Sequence, residues 1–342
     1  MNMETPTQSF FIEEPEKTIE VVKTETPKKK SKTVSYSQYA KWLKCPMDWK
    51  LSYMDYLAPY EASINTVFGD GIHEAMQEFL RLLYSPAGAP AADALDYMAL
   101  FNKTFDELIA KDLKVATPEQ ALLTEEERDV LGVLLPEEVE SFRADAKTIL
   151  DHVTSPGVRM KHFPSKLYEV VGIELPLEIP MRGGAITYKG YLDIVLRDKT
   201  TKKILILDFK TSTFGWNKYQ KMDRTKIDQL LLYKRFYSQV YKVPMNDIEV
   251  EFFIMKRKLY EDVEFPQQRI QRVARPDGKL SMREVENAFL DFINECFTPE
   301  GLPNKEGEFL KNPGKARKNC KYCTFKTLTD KDGKLYCDGK ED

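Results

Sequence analysis

Two carboxylates and a lysine stand in a stretch where two apolar runs flank a turn, between Gly190 and Ser212. Asp193 lies in the first run, and Asp208 and Lys210 end the second run. If the two runs form neighbouring strands, the three side chains converge, because paired strands bring opposite residues close together. The spacing therefore predicts a cluster of two carboxylates beside an ammonium group.

Such a cluster suits a divalent metal ion and the hydrolysis of phosphodiester bonds. Hard cations such as Mg²⁺ take oxygen ligands, which Asp193, Asp208 and the backbone carbonyl of Phe209 can supply. The metal ion lowers the pKa of a bound water and neutralises charge that develops on a phosphate. Lys210 would orient the attacking water or stabilise the pentavalent phosphorane. The alternative is a strand end whose charges are simply solvated.

The helical segment that follows carries polar side chains on one face. Gln229 and Tyr233 lie four residues apart, so they are neighbours on a helix, and Lys226 flanks them. An amide, a phenol and an ammonium group on one face can bind a nucleic-acid backbone. The alternative is an amphipathic helix whose role is to pack its leucines inward.

The elements that must position these residues are predicted to form an α/β fold. From residue 165, three strand patterns follow one another, KLYEVVGIELPLEI, AITYKGYLDIVLRD and KILILDFKTS. The last is a continuous apolar run, as expected for a strand buried on both faces. Helical patterns precede the strands, including a helical lobe at about 85–160, and a helix–strand–helix pattern follows. This order predicts a central mixed β-sheet flanked by helices.

The N-terminal part of the chain changes character near residue 34. Residues 1–33 lack hydrophobic periodicity and are rich in Glu, Lys, Thr and Pro, which predicts a disordered tail. Within it, Phe10-Phe11-Ile12 has acidic flanks, the composition of a short docking peptide for a protein partner; the alternative is a solvated tail. Beyond it, aromatic residues recur at helical spacing between residues 34 and 56, which predicts core packing.

The composition excludes several classes of protein. Of the 342 residues, 42% are hydrophobic and 31% are charged, and the net charge is −3. No apolar run approaches the roughly 20 residues of a membrane helix, and we expect a cytoplasmic protein without a membrane partner. The net charge gives no overall attraction to nucleic acid, although a local basic groove is sufficient for binding. No P-loop pattern occurs, so we expect no helicase activity.

Five cysteines, an odd number, argue against a disulfide framework in a cytoplasmic chain. Cys320 and Cys323 form a C-x-x-C motif near the C-terminus, and Cys45 precedes a proline near the other end. TLTDKDGKLY predicts a hairpin with an Asp-Gly turn, which would return Cys337 toward the motif. Cys296 lies on an apolar helix face and is predicted as a core thiol. The other four cysteines are compatible either with metal binding or with burial as free thiols.

Four motifs together resemble the RecB-like branch of the PD-(D/E)XK nuclease superfamily. In chain order they are Gly69-x-x-x-His73, Gly190-Tyr191-Leu192-Asp193, Asp208-Phe209-Lys210-Thr211 and Gln229-x-x-x-Tyr233. The segment SYSQYAKWLKCPMDWK also resembles the opening segment of that branch. Each motif alone is weak, but four in this order with compatible spacing are a strong resemblance, which spans about residues 34–325.

The resemblance implies a restriction-endonuclease-like core and a metal-dependent deoxyribonuclease. His73 would join Asp193, Asp208 and the Phe209 carbonyl as a ligand of Mg²⁺ or Mn²⁺, and Lys210 would be the catalytic lysine. Because the branch includes helicase-nucleases and phage exonucleases, we expect an exonuclease on single-stranded DNA or DNA ends. Replication, recombination or repair in a bacterium or a phage-infected cell would be its setting.

The same resemblance assigns the remaining residues and the domain. Gln229 and Tyr233, with Lys226, would contact DNA or support the active site. Residues 34–342 would form a single nuclease domain, with the lobe at about 85–160 as an insertion and a cysteine-containing segment at 301–342.

Members of this branch that carry a cluster hold it between one cysteine of the opening segment and three near the C-terminus. Cys45, Cys320, Cys323 and Cys337 would then bind a [4Fe–4S] cluster, with Zn²⁺ as the alternative, since four thiolates suit either. The gap between Cys323 and Cys337 is longer than the family pattern.

Two other functions are compatible with these motifs. One is a nuclease-fold DNA-binding subunit that docks through Phe10-Phe11-Ile12, against which the complete set of predicted catalytic residues argues. The other is an endonuclease of the restriction type, which the Gln229–Tyr233 helix disfavours.

Overall fold

The computed structural model describes residues 32–58 and 62–340, so Phe10-Phe11-Ile12 and most of the predicted tail lie outside the described residues. The helices are α1 Tyr36–Lys44, α2 Pro46–Trp49, α3 Ile64–Leu83, α4 Gly88–Asp93, α5 Tyr97–Asp112, α6 Pro118–Ala121, α7 Glu125–Leu131, α8 Pro136–Thr154, α9 Pro156–His162, α10 Arg224–Tyr241 and α11 Lys279–Cys296. The strands are β1 Lys32–Val34, β2 Lys114–Val115, β3 Val133–Leu134, β4 Tyr168–Met181, β5 Ile186–Asp198, β6 Ile204–Ser212, β7 Ile248–Lys256 and β8 Ile270–Ala274. Among the residues described, no helix is long and apolar enough to cross a membrane.

The chain divides into two compact units. The central unit comprises Ala58–Leu177 and Gly190–Pro276, and the terminal unit comprises Met1–Leu57, Glu178–Lys189 and Asp277–Asp342. The helical lobe, the predicted catalytic residues and helix α10 belong to the central unit, and the five cysteines belong to the terminal unit. The single domain over residues 34–342 stays a prediction.

The sheet of the central unit is mixed, as predicted. Strand β5 pairs antiparallel with β6, β6 pairs parallel with β7, and β7 pairs antiparallel with β8. Helix α10 lies in the chain between β6 and β7, because parallel neighbours need a long crossover connection. The apolar run KILILDF forms β6, and its residues from Ile204 to Phe209 are buried, which confirms the strand predicted from that run.

One face of this sheet is covered by the helical part of the central unit. Alternate residues of β6, Leu205, Leu207 and Phe209, lie in one apolar core with residues of α3, α5 and α8. Successive side chains of a strand point to opposite faces, so Asp208 and Lys210 belong to the other face of β6. The packing of Leu207 and Phe209 therefore orients the two polar side chains that alternate with them.

The terminal unit has an aromatic core of its own. Tyr39, Trp42 and Trp49 are buried and contact phenylalanine rings of α11 and the segments after it, as the helical spacing predicted for them. Tyr56 is different, because it is 71% exposed. Strand β1 pairs parallel with the start of β5, so Lys32 and Thr33, which were predicted to belong to the disordered tail, are part of a strand instead.

Candidate active site

Asp193 and Asp208 lie on two neighbouring antiparallel strands. The ladder between β5 and β6 ends at the pair Ile194–Leu207, and Asp193 and Asp208 are the residues directly beyond that pair, close enough for their charges to interact. Both are buried, at 8% and 2% exposure. Asp193 Oδ2 accepts a hydrogen bond from the backbone N–H of Phe209 at 2.6 Å, which fixes that carboxylate against β6. The structure thus brings together the two carboxylates that the sequence placed on neighbouring runs.

Lys210 completes this cluster. Its ammonium group forms an ion pair with Asp208 Oδ2 and lies 5.6 Å from the centre of the Phe252 ring. Burial alone would lower the pKa of Lys210, but the Asp208 and Asp193 carboxylates outweigh burial and raise it. Burial, and then the charge of Asp208, raise the pKa of Asp193. The site therefore holds two mutually repelling carboxylates and one ammonium group that stays charged at neutral pH.

His73 reaches this cluster from α3. Its Nε2 lies 3.0 Å from the Phe209 carbonyl oxygen, and its Nδ1 lies 3.8 Å from Asp193 Oδ1. A carbonyl oxygen only accepts, so this hydrogen bond places a proton on Nε2. The ring also packs edge-on against the Phe209 ring at 5.9 Å. His73, Asp193 and Phe209, from three separate elements, thus lie within contact distance of one another.

Asp70 is a neighbour that the sequence reasoning missed. It precedes His73 by three residues on α3, and the two interact electrostatically. Burial raises the pKa of Asp70, while the nearby His73 acts in the opposite direction. The i, i+3 spacing on a helix was the available signal, since it places two side chains on one face.

The donor set of this site fits a small divalent cation. Two carboxylates and a carbonyl are the oxygen ligands that Mg²⁺ and Mn²⁺ prefer. The 3.0 Å contact of His73 Nε2 with the Phe209 oxygen is a hydrogen bond, so Nε2 would have to give up its proton before it could bind the ion. Within the described residues, no group of three or more His, Cys, Asp or Glu side chains is arranged to hold a metal ion. The fit therefore rests on the chemistry of these donors.

The predicted nucleic-acid contacts lie on α10 of the same unit. Gln229 Nε2 donates a hydrogen bond to Tyr233 Oη at 2.7 Å, so the two side chains share one face as their spacing indicated. Tyr233 is buried, at 4% exposure, and Gln229 is half-buried. The ammonium group of Lys226 lies 5.3 Å from the centre of the Trp216 ring. Contact of these residues with a nucleic acid stays a prediction.

The terminal unit brings the four predicted cysteine ligands to one cavity. Cys45, Cys320, Cys323 and Cys337 all line it, and none of them forms a disulfide. An antiparallel bridge between Thr329 and Leu335 closes the predicted hairpin before Cys337.

Burial raises the pKa of Cys323 and of Cys337. Cys296 is fully buried in α11, as predicted for a core thiol.

The chain is similar to one family of nucleases and to two solved structures. The family description "PD-(D/E)XK nuclease superfamily" matches residues 33–328. A solved structure of a "Putative exonuclease" from Eubacterium rectale is similar, with 12% identity, a TM-score of 0.43, and coverage of 82% of this chain and 90% of that chain. The solved structure of SSO0001 has 13% identity, a TM-score of 0.28, and coverage of 83% and 93%. No curated protein matches the sequence significantly.

Proposed function

Because the chain belongs to the PD-(D/E)XK nuclease superfamily, we propose that it is a metal-dependent deoxyribonuclease, an exonuclease on single-stranded DNA or DNA ends. The observation that carries this proposal is the buried pair Asp193 and Asp208 with Lys210 against it and His73 beside it. Two buried carboxylates that repel each other are unfavourable for folding, and such pairs cluster at sites where a bound cation or a reaction uses them.

The residues have distinct tasks in this proposal. A bound Mg²⁺ or Mn²⁺ supplies an activated water and neutralises charge on the scissile phosphate. Asp193, Asp208, His73 and the Phe209 carbonyl would hold the ion. The hydrogen bond from the Phe209 N–H restrains one oxygen of Asp193, which leaves the other toward His73. Lys210 stays protonated between two carboxylates, so it can bind a phosphate oxygen and orient the attacking water.

The finer assignment to the RecB-like branch is also part of the proposal. It is supported by the order of the motifs and by the hydrogen-bonded pair Gln229 and Tyr233 on the helix after the catalytic strand. We further propose that Gln229, Tyr233 and Lys226 contact or support the bound DNA. Replication, recombination or repair in the cytoplasm of a bacterium or phage-infected cell is the setting this implies. A protein partner would dock on Phe10-Phe11-Ile12.

A second proposal is based on the chemistry of the four thiols that line one cavity of the terminal unit, whose side chains are not arranged around a metal ion in the described residues. We propose a [4Fe–4S] cluster held by Cys45, Cys320, Cys323 and Cys337, with Zn²⁺ as the alternative. Their role is to join the two ends of the chain, because Cys45 belongs to the start of α2 and the other three belong to the C-terminal segment.

The nuclease proposal is tested with end-labelled DNA and matched charge variants. The wild-type protein is incubated with single-stranded, duplex and circular single-stranded DNA in Mg²⁺, Mn²⁺ or EDTA. Asp208→Asn and Lys210→Ala should each lower kcat by about 10³-fold, corresponding to about 4 kcal/mol of lost transition-state stabilisation. Glu249→Gln and Lys203→Ala, which change exposed charges on or beside the same sheet, should leave the rate unchanged.

The outcomes separate the parts of the proposal. Absence of metal-dependent cleavage by the wild-type protein would refute the enzyme. Normal cleavage by both Asp208→Asn and Lys210→Ala would refute the site. Cleavage of circular single strands would show an endonuclease instead of an exonuclease, since an exonuclease needs an end. An RNA strand of the same sequence tests the preference for DNA.

A further inference from the structure

Two exposed aromatic rings are stacked on each other beyond the ends of β6 and β7. The Phe214 and Tyr260 rings lie 4.7 Å apart with an interplanar angle of 11°, and they are 43% and 55% exposed. We call these two residues the aromatic pair. Phe214 follows Lys210 by four residues, so its Cα lies at most ~14 Å from that of Lys210. The pair is therefore close to the candidate active site.

The sheet topology explains why both rings reach the same place. Strands β6 and β7 are parallel and in register from Ile204–Ile248 to Ser212–Lys256, so their carboxyl ends share one edge of the sheet. Two further backbone hydrogen bonds join the chains beyond the strands, from Arg257 to Ser212 and from Lys258 to Thr213, both at 2.8 Å.

The backbone beside each ring is held by a glutamine side chain. Gln267 accepts from the Tyr260 N–H at 2.7 Å and donates to the Tyr260 carbonyl at 2.6 Å. Gln271 accepts from the Trp216 N–H at 2.8 Å and donates to the Trp216 carbonyl at 3.1 Å, two residues after Phe214. Such hydrogen bonds fix the loops in place before any ligand binds, which lowers the entropy lost on binding. Exposed rings with a fixed backbone are typical of a binding surface.

The charges around the aromatic pair are unequal. The side chain of Lys256 packs against Gly215, where an added Cβ would lie 2.8 Å from Lys256 Cε. Lys221 is close enough to lower the pKa of Lys256, after the larger effect of burial. The acidic residues Glu261, Asp262 and Glu264 are exposed and follow Tyr260 in the chain. The phosphates of a bound polyanion would be attracted to the lysines and repelled by these carboxylates.

We propose that the aromatic pair is a stacking platform for one unpaired base of a single-stranded nucleic acid. This rests on the proposed function, because the platform would hold the strand whose neighbouring phosphodiester lies at the active site. A ring separation of 4.7 Å leaves no space between the rings, so the base stacks on an outer face of the pair. Bases stack on aromatic side chains regardless of sequence, and a base within a duplex has both faces covered by the neighbouring base pairs.

Binding without cleavage tests the platform. The anisotropy of a labelled oligothymidylate and of a duplex of equal length is measured in EDTA. Phe214→Ala or Tyr260→Ala should weaken single-strand binding about tenfold, within the range measured for loss of one stacked base. Duplex binding should change less than about twofold. Tyr260→Phe keeps a ring, and Phe265→Ala removes an exposed aromatic of the same loop outside the pair, so both should bind like the wild type.

A series of oligonucleotides with a single abasic position avoids reliance on any variant. The wild-type protein should show one position at which loss of the base weakens binding about tenfold, and Phe214→Ala should lose that sensitivity. Equal weakening of single-strand and duplex binding, or no sensitive position, would overturn the platform. If DNA is bound in this way but never cleaved, the nuclease proposal fails and the platform stands. If cleavage is normal and both alanine variants bind like the wild type, only the platform fails.

Discussion

Two glycines in the helix that carries His73 should respond in opposite ways to substitution by alanine. A Cβ at Gly71 would lie 2.8 and 2.9 Å from two ring atoms of Phe101. That ring is fully buried and stacked on Phe105 at 4.9 Å, with Phe68 at 5.7 Å on another side, so it cannot retreat. A Cβ at Gly69 would meet only Thr211 Oγ1 at 3.6 Å, an ordinary contact.

The magnitudes follow from these distances. Alanine stabilises a helix interior by about 1 kcal/mol relative to glycine, and both positions lie within α3. Overpacking of a filled core costs about 1–3 kcal/mol, which applies at Gly71 only. Gly69→Ala should therefore raise the free energy of unfolding by up to about 1 kcal/mol. The free energy of unfolding of Gly71→Ala should be about 1–3 kcal/mol lower than that of Gly69→Ala.

Thermal and urea denaturation of the two variants and the wild type measure this difference. At about 2 °C per kcal/mol for a chain of this size, the midpoints should differ by about 2–6 °C. The nuclease assay is a second readout, in which Gly69→Ala should keep its activity because His73 stays in place. If Gly71→Ala melts at or above the temperature of Gly69→Ala, the reasoning from Cβ distances is refuted.

Three further predictions concern other parts of the chain. His162 is buried, and burial is the main cause that lowers its pKa to about 4. Because the pKa in the unfolded chain is about 6.5, the wild-type protein should lose at most about 2 kcal/mol of its free energy of unfolding between pH 7 and 5. His162→Phe should abolish this loss, as measured by urea unfolding at the two pH values. Cys320→Ser should remove the metal of anaerobically purified protein, quantified by visible absorbance and metal analysis, whereas Cys296→Ala should retain it; equal metal content in both would refute the cysteine site. Gly301→Ala should lower the free energy of unfolding by more than about 2 kcal/mol, because the φ of Gly301 is +77° and a Cβ would lie 2.5 Å from a carbonyl oxygen. Gly333→Ala, at a φ of +78° with open space around it, should lower the melting temperature less than Gly301→Ala does.

Local patterns were sufficient to predict the elements around the site. The run KILILDF is buried as strand β6 because an uninterrupted apolar sequence matches a strand covered on both faces. The i, i+4 spacing of Gln229 and Tyr233 correctly placed them on one helix face.

The features that could not be predicted from the sequence depend on contacts between residues far apart in the chain. The parallel pairing of β6 with β7 depends on which faces α10 and its neighbours bury, and no local pattern encodes it. The aromatic pair is a consequence of that pairing, since Phe214 and Tyr260 lie far apart in the chain. The contact of Gln271 with the Trp216 backbone depends on the register of β8, which again is fixed only in the folded protein.

The candidate site depends on the alternation of side chains along a single strand. Leu207 and Phe209 pack into the core that contains α3, and this packing sets the position of His73 relative to β6. Asp208, between them in sequence, points to the other face and pairs with Lys210. Because burial and the charge of Asp208 raise the pKa of Asp193, the ionised site opposes folding, and apolar contacts on the opposite face of the same strand offset that cost. A divalent cation would relieve the repulsion directly, so metal binding and stability of the central unit should be coupled through β6.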